Sequence, residues 1–304
     1  MKKILTYIGR YFYESDRPLL LVTTCLTALL IFLNYQFLID DRISDLPFYL
    51  RFICRYAIYA TAFIIPYAFY CYTRKKPLFR NRSFAWLVCL SPAIFSIKAG
   101  WGFRFKLASQ PLWNDYWNQV IYWPLLLLLI IMAVALAWIA FDRQQPLYGI
   151  RSKAIDWKPY WLMLFLMIPF IALASTQPDF LAVYPKINSI LKTDSSFTLS
   201  GFHKILFELS YGSDFIGIEL FFRGFLVLAF MKYAGRDAII PMAAFYCTIH
   251  FGKPLGECIS SYFGGLLLGI VVSHTRSIWG GLLVHVGIAW LMEIGGYIGN
   301  LLDK

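Results

Sequence analysis

The 304 residues are 59% hydrophobic and only 15% charged, with 28 Lys and Arg against 17 Asp and Glu for a formal net charge of +11. Soluble domains carry about 25% charged residues, so this composition excludes an ordinary soluble domain and predicts an all-α, polytopic membrane helix bundle. The basic excess does not point to nucleic acid, because Lys and Arg fall in short clusters between apolar runs, as anchors facing membrane lipid do.

The chain begins MKKILTYIGRYFYESDRP, basic but without an apolar core long enough for a signal peptide. Residues 1–17 are therefore expected to form an amphipathic segment on the membrane surface ahead of an uncleaved first span. Stretches near 20 apolar residues fall at 18–39, 56–73, 83–97, 119–141, 160–177, 215–232, 238–250, 258–273 and 278–297, about eight or nine spans, since two are short. Residues 18–214 read as N-terminal membrane helices with their connections, and 215–297 as core helices carrying the chemistry. The longest polar connection, 178–214, reads as a loop. With nine spans, more Lys and Arg lie on the side of the N-terminus, which places that end in the cytoplasm. Cys25, Cys54, Cys71, Cys89, Cys247 and Cys258 lie in or at the ends of apolar spans without CxxC spacing, which predicts buried free thiols rather than a disulfide framework or a zinc knuckle.

The chemistry-bearing residues cluster late. IELFFRGF places Glu219 and Arg223 four apart inside an apolar run, where each charge costs about 2.5–3.5 kcal/mol to insert. On an α-helix they share a face with the Glu nearer the N-terminus, the order that favours an ion pair. AAFYCTIHFGKPLGE brings His250 at the end of one span and Glu257 at the approach to the next. SYFGGLLLGIVV has Gly265 and Gly269 at the small-xxx-small spacing that lets helices approach closely. SIWGGLLVHVGIAWLMEIGG sets His285 inside the last span. A lone membrane histidine is usually a packing residue; two histidines, a carboxylate and an arginine in neighbouring spans point to a functional site. Two His and one Glu are also a recognisable ligand set for a divalent metal, although no HExxH is present.

The order ELFFRG, an apolar helix ending in His, a glycine-rich helix and TRSIWGGLLVH resembles the CAAX prenyl protease and bacteriocin-processing (CPBP, or Abi) family of intramembrane peptidases. The resemblance covers roughly 215–293. Its motifs, Glu-Glu-x-x-x-Arg, Phe-x-x-x-His and His-x-x-x-Asn or Asp, stand here as Ile218-Glu219-x-x-x-Arg223, Tyr246-x-x-x-His250 and His285-x-x-x-Ala289. The second Glu, the Arg and both histidines are kept; the first Glu and the Asn are replaced by Ile218 and Ala289. The resemblance implies an all-helical membrane peptidase in a bacterial plasma membrane, with no cofactor expected and a divalent metal as the alternative. A buried carboxylate beside His250 would activate water, His285 would stabilise the oxyanion, and Arg223 would hold the carboxylate. Glu219 is the first candidate for that carboxylate, with Asp214, one turn before Ile218, and Glu257 as auxiliary carboxylates. The expected partner is a membrane-associated peptide or protein substrate. Two other readings are an inactive relative that binds such peptides for immunity or regulation, and a transporter using the buried charges as an ion path.

Overall fold

A computed structural model describes residues 2–150, 155–191 and 198–302, and among these it contains helices and no strand. In chain order the helices are α1 (Lys2–Glu14), α2 (Arg17–Phe37), α3 (Ile39–Ser44), α4 (Phe48–Arg74), α5 (Arg82–Gly100), α6 (Pro111–Phe141), α7 (Lys158–Ala174), α8 (Pro178–Val183), α9 (Asn188–Leu191) and α10 (Gly201–Glu219). A π-helix over Leu220–Ala229 follows directly, then α11 (Met231–Ala234), α12 (Ile239–Thr248), α13 (Leu255–Thr275) and α14 (Trp279–Leu302). Six of them, α2, α4, α5, α6, α13 and α14, are long and apolar enough to cross a membrane. The remaining expected spans correspond to shorter elements: α7, the π-helix with the end of α10, and α12.

The polypeptide forms two units, each discontinuous along the chain. The first comprises Met1–Gly102, Met132–Lys153 and Leu220–Ile278, and the second Phe103–Ile131, Ala154–Glu219 and Trp279–Lys304.

In the first unit α12 packs on α13, α4 and α2, α4 packs on α5, and the π-helix packs on α13 and α12. The expected glycine approach is present: an added Cβ would lie 3.1 Å from the Tyr246 ring at Gly265, and 2.8 Å from Ile239 and Met242 side-chain atoms at Gly269. The centre is aromatic, with Phe63, Phe95, Phe221, Phe222 and Phe245 buried and ring centroids such as Phe95–Phe222 5.0 Å and Phe222–Phe245 5.2 Å apart in edge-to-face geometry. That arrangement sets the positive edge of one ring on the negative face of the next. Helix α1 packs against α13, where Tyr7 stacks on His274 at 4.2 Å. Asp16 caps α2 by accepting the Leu19 N–H and pairs with Arg74 at 2.6 Å.

In the second unit α14 packs on α7, α10 and α8. Its glycines make the approach possible, with Gly280 under the Tyr160 ring, Gly287 against Leu164 and Gly295 against Ser175 and Ile171. On the part of α6 in this unit, Leu128 and Ile131 are exposed, whereas Leu126 and Ile130 are buried. An outward stripe of large apolar side chains suits lipid and would be a liability in water.

One boundary differs from the sequence expectation. The connection 178–214 is not a loop throughout: α8, α9 and most of α10 lie within it, while residues 192–197 fall outside the described part. His203, Lys204 and Glu208 break the apolar run that a span search needs. The helical period nevertheless continues through Phe207, Tyr211, Asp214, Phe215 and Ile218, all buried along α10.

Candidate active site

The motif segment IELFFRGF spans a change of helix type. Glu219 is the last residue of α10, and the next ten residues form the π-helix. A π-helix bonds i to i+5 and usually occurs as a single turn, often at functional sites. The α-helical angle used to place Glu219 and Arg223 on one face therefore does not hold past Glu219. Every residue of the π-helix is buried. Gly224 is required there, because a Cβ would lie 2.7 Å from the Tyr148 carbonyl oxygen.

In the second unit Glu219, fully buried, meets His285. The imidazole Nδ1 lies 2.9 Å from Glu219 Oε1, and the His285 side chain keeps 13% of its surface exposed. With Glu219 ionised, Nδ1–H donates to the carboxylate, which fixes the tautomer and leaves Nε2 as the nitrogen able to accept a proton. Phe215, one turn before Glu219, packs edge-to-face on the His285 ring at 4.7 Å. The other carboxylate oxygen sits against Gly281, one turn before His285 on α14. Gly281 lies in the first turn of that helix, where the macrodipole favours negative charge. Ala289, one turn beyond His285, is buried, as is Ile218. Asp214 lies on α10 and is buried.

In the first unit Tyr246 joins Arg223 and His250. The Arg223 guanidinium, fully buried, lies 3.9 Å from the centroid of the Tyr246 ring. The His250 ring lies 4.8 Å from the same ring, and its Nδ1 is 3.0 Å from the Tyr246 carbonyl oxygen. Glu257, in the first turn of α13, pairs with Lys253 at 3.6 Å. All six cysteines are free, but only Cys247 and Cys258 are buried; Cys25 and Cys89 are exposed, against the expectation of buried thiols. Their spans present apolar faces outward, so burial in protein is not what keeps those thiols from water.

The carboxylate that the sequence assigned to water activation with His250 is thus, within its own unit, hydrogen-bonded to His285. Arg223, assigned to hold that carboxylate, stacks on Tyr246 within its unit. Sequence reasoning missed Gly281, Phe215 and the role of Tyr246; the one available signal was the i,i+4 spacing of Gly281 and His285 and of Phe215 and Glu219. Among the described residues no group of three or more His, Cys, Asp or Glu side chains is arranged to hold a metal ion.

The helices define the class: an all-helical integral membrane protein. Within it, residues 210–291 match the model of a protease family, the type II CAAX prenyl endopeptidase Rce1-like family, over roughly a quarter of the chain. This supports the resemblance drawn from the three motifs. No curated protein and no solved structure matches the chain.

Proposed function

We propose that the protein is an intramembrane endopeptidase of the CAAX-protease type, cleaving a membrane-associated peptide or protein, in which His285 is the general base and Glu219 the carboxylate that orients it. The observation that carries this reading is the 2.9 Å contact between His285 Nδ1 and a fully buried Glu219. A buried carboxylate on one imidazole nitrogen supports proton transfer at the other, as in triad hydrolases. His285 Nε2 takes a proton from water as its oxygen attacks the scissile carbonyl. The same proton then passes to the leaving amine as the C–N bond breaks, so the imidazole returns to its starting state. Glu219 stabilises the transient imidazolium through its bond to Nδ1. His250 and Arg223 enter this reading through the family motifs; the reading itself calls on no metal. A bacterial plasma membrane is the proposed location.

The replacement of the family's first Glu by Ile218 and of its Asn by Ala289 favours a second reading, a peptide-binding relative without turnover. Reconstituted protein, a membrane-peptide library and mass spectrometry of the products separate the two. Cleavage by the wild type, increased in Ile218→Glu, is the expected result. Binding without cleavage in the wild type, in Ile218→Glu and in Ile218→Glu combined with Ala289→Asn would establish the second reading instead.

A further inference from the structure

We infer that Gly281 is a positioning residue: the space left by its missing side chain is the notch that seats the Glu219 carboxylate and so sets the bond to His285. The inference rests on the proposed Glu219–His285 pair. A Cβ at position 281 would lie 2.6 Å from Glu219 Oε2, closer than real Cβ contacts come, and 3.5 Å from its Cδ, an ordinary contact; beyond α14 itself no other described atom lies within 4 Å of it. Both carboxylate oxygens therefore face α14, Oε1 bonded to the His285 imidazole and Oε2 in the space a side chain at position 281 would fill.

The neighbouring glycine shows why this is more than helix packing. At Gly280 an added Cβ would fall 2.1, 2.3 and 2.5 Å from three atoms of the Tyr160 ring. A rigid ring held by its helix cannot yield, so Gly280 is needed for α14 and α7 to pack at all. At Gly281 the obstructing atoms are the far end of a flexible side chain, which can rotate aside without any shift of the backbone. What such a rotation breaks is the alignment of the carboxylate with Nδ1. Of two adjacent glycines in one motif, the first serves packing and the second serves the dyad.

The test uses full-length protein in lipid nanodiscs with ¹⁵N-labelled histidine, the His285 signals being assigned by their loss in His285→Gln. Wild type should show His285 held with its proton on Nδ1. Gly281→Ala should unfold within a few degrees of wild type, lose that fixed tautomer, and cut kcat for peptide cleavage by about 10²-fold, the low end of general acid–base contributions, with KM little changed. Gly280→Ala should instead lose thermal stability. Adding Glu219→Asp to Gly281→Ala shortens the acid by one methylene and should recover part of the tautomer preference. A wild-type tautomer in Gly281→Ala overturns the inference. Should Gly281→Ala fail to fold, recovery of folding in the double variant places the clash at the carboxylate and supports the inference; no recovery overturns it. The tautomer is read without turnover, so a wild type that cleaves nothing, with these spectral changes still seen in the variants, would sink the peptidase reading and leave the notch standing.

Discussion

Glu219 Oε1 and His285 Nδ1 stand 2.9 Å apart, with the carboxylate fully buried and the imidazole partly exposed. Glu219→Gln keeps the shape of the acid but removes the charge that stabilises an imidazolium. It should lower peptide cleavage by about 10²–10⁴-fold, and His285→Ala should do the same, each leaving the protein folded. Asp214→Asn should retain most activity. Rates on a fluorogenic membrane peptide give the result, and full activity in Glu219→Gln would remove that residue from the chemistry.

Arg223 and Tyr246 make a second pair, guanidinium over ring at 3.9 Å, with Arg223 fully buried. A desolvated cation–π contact contributes about 2 kcal/mol or more. Tyr246→Phe restores the family's residue and keeps the ring, so thermal stability should change little. Tyr246→Leu removes the ring and should lower the unfolding midpoint clearly. Arg223→Lys exchanges a planar cation for a point charge and should also be costly. Equal midpoints for the Phe and Leu variants would show that the ring contributes nothing beyond its bulk.

Helix α13 offers a comparison between two of its glycines. An added Cβ at Gly264 meets nothing within 4 Å, whereas at Gly269 it lies 2.8 Å from both Ile239 and Met242 side-chain atoms. Gly264→Ala should be neutral or slightly stabilising, as helix propensity favours Ala. Gly269→Val should cost about 1–3 kcal/mol through overpacking. Similar unfolding midpoints for the two variants would contradict the close approach of α12 and α13.

Asp237, in the turn Gly235–Ala238 outside the spans, accepts the backbone N–H of Asp16 at 3.1 Å. Burial pushes its carboxyl above the usual Asp range, and the nearby Asp16 carboxylate adds to this, against the opposing pull of the Asp16 N–H, Arg74 and Lys76. The folded chain then holds this proton over a pH window, above the ordinary value near 3.9, in which the unfolded chain has lost it. This group's contribution to stability therefore rises as pH falls through the raised folded value. Asp237→Asn keeps an acceptor for Asp16 and removes the ionised form. It should raise stability at neutral pH by about 1 kcal/mol or less, since partial solvent contact screens the effect, and flatten the acid-side pH dependence. An unchanged pH dependence in the variant would contradict the assignment.

Apolar runs and charge placement, both local properties of the chain, made the membrane class, most helices and the three motifs legible in the sequence. The spacing of Gly265 and Gly269 was likewise enough to predict a close helix approach. Helical periodicity could also have revealed the start of α10, but polar residues at 203, 204 and 208 interrupt the apolar run used to find spans. Two features were decided only by the tertiary structure. The first is the π-helix after Glu219, whose i to i+5 bonding no residue pattern in ELFFRGF specifies and which alters the angular relation that four-residue spacing implies. The second is the partner of Glu219, a histidine 66 residues away. Spacing along one helix fixes which residues share its face. Which face of α14 meets that carboxylate is set by where side chains are missing, at Gly280 for the Tyr160 ring and at Gly281 for Glu219, and such shape complementarity exists only once the helices are packed.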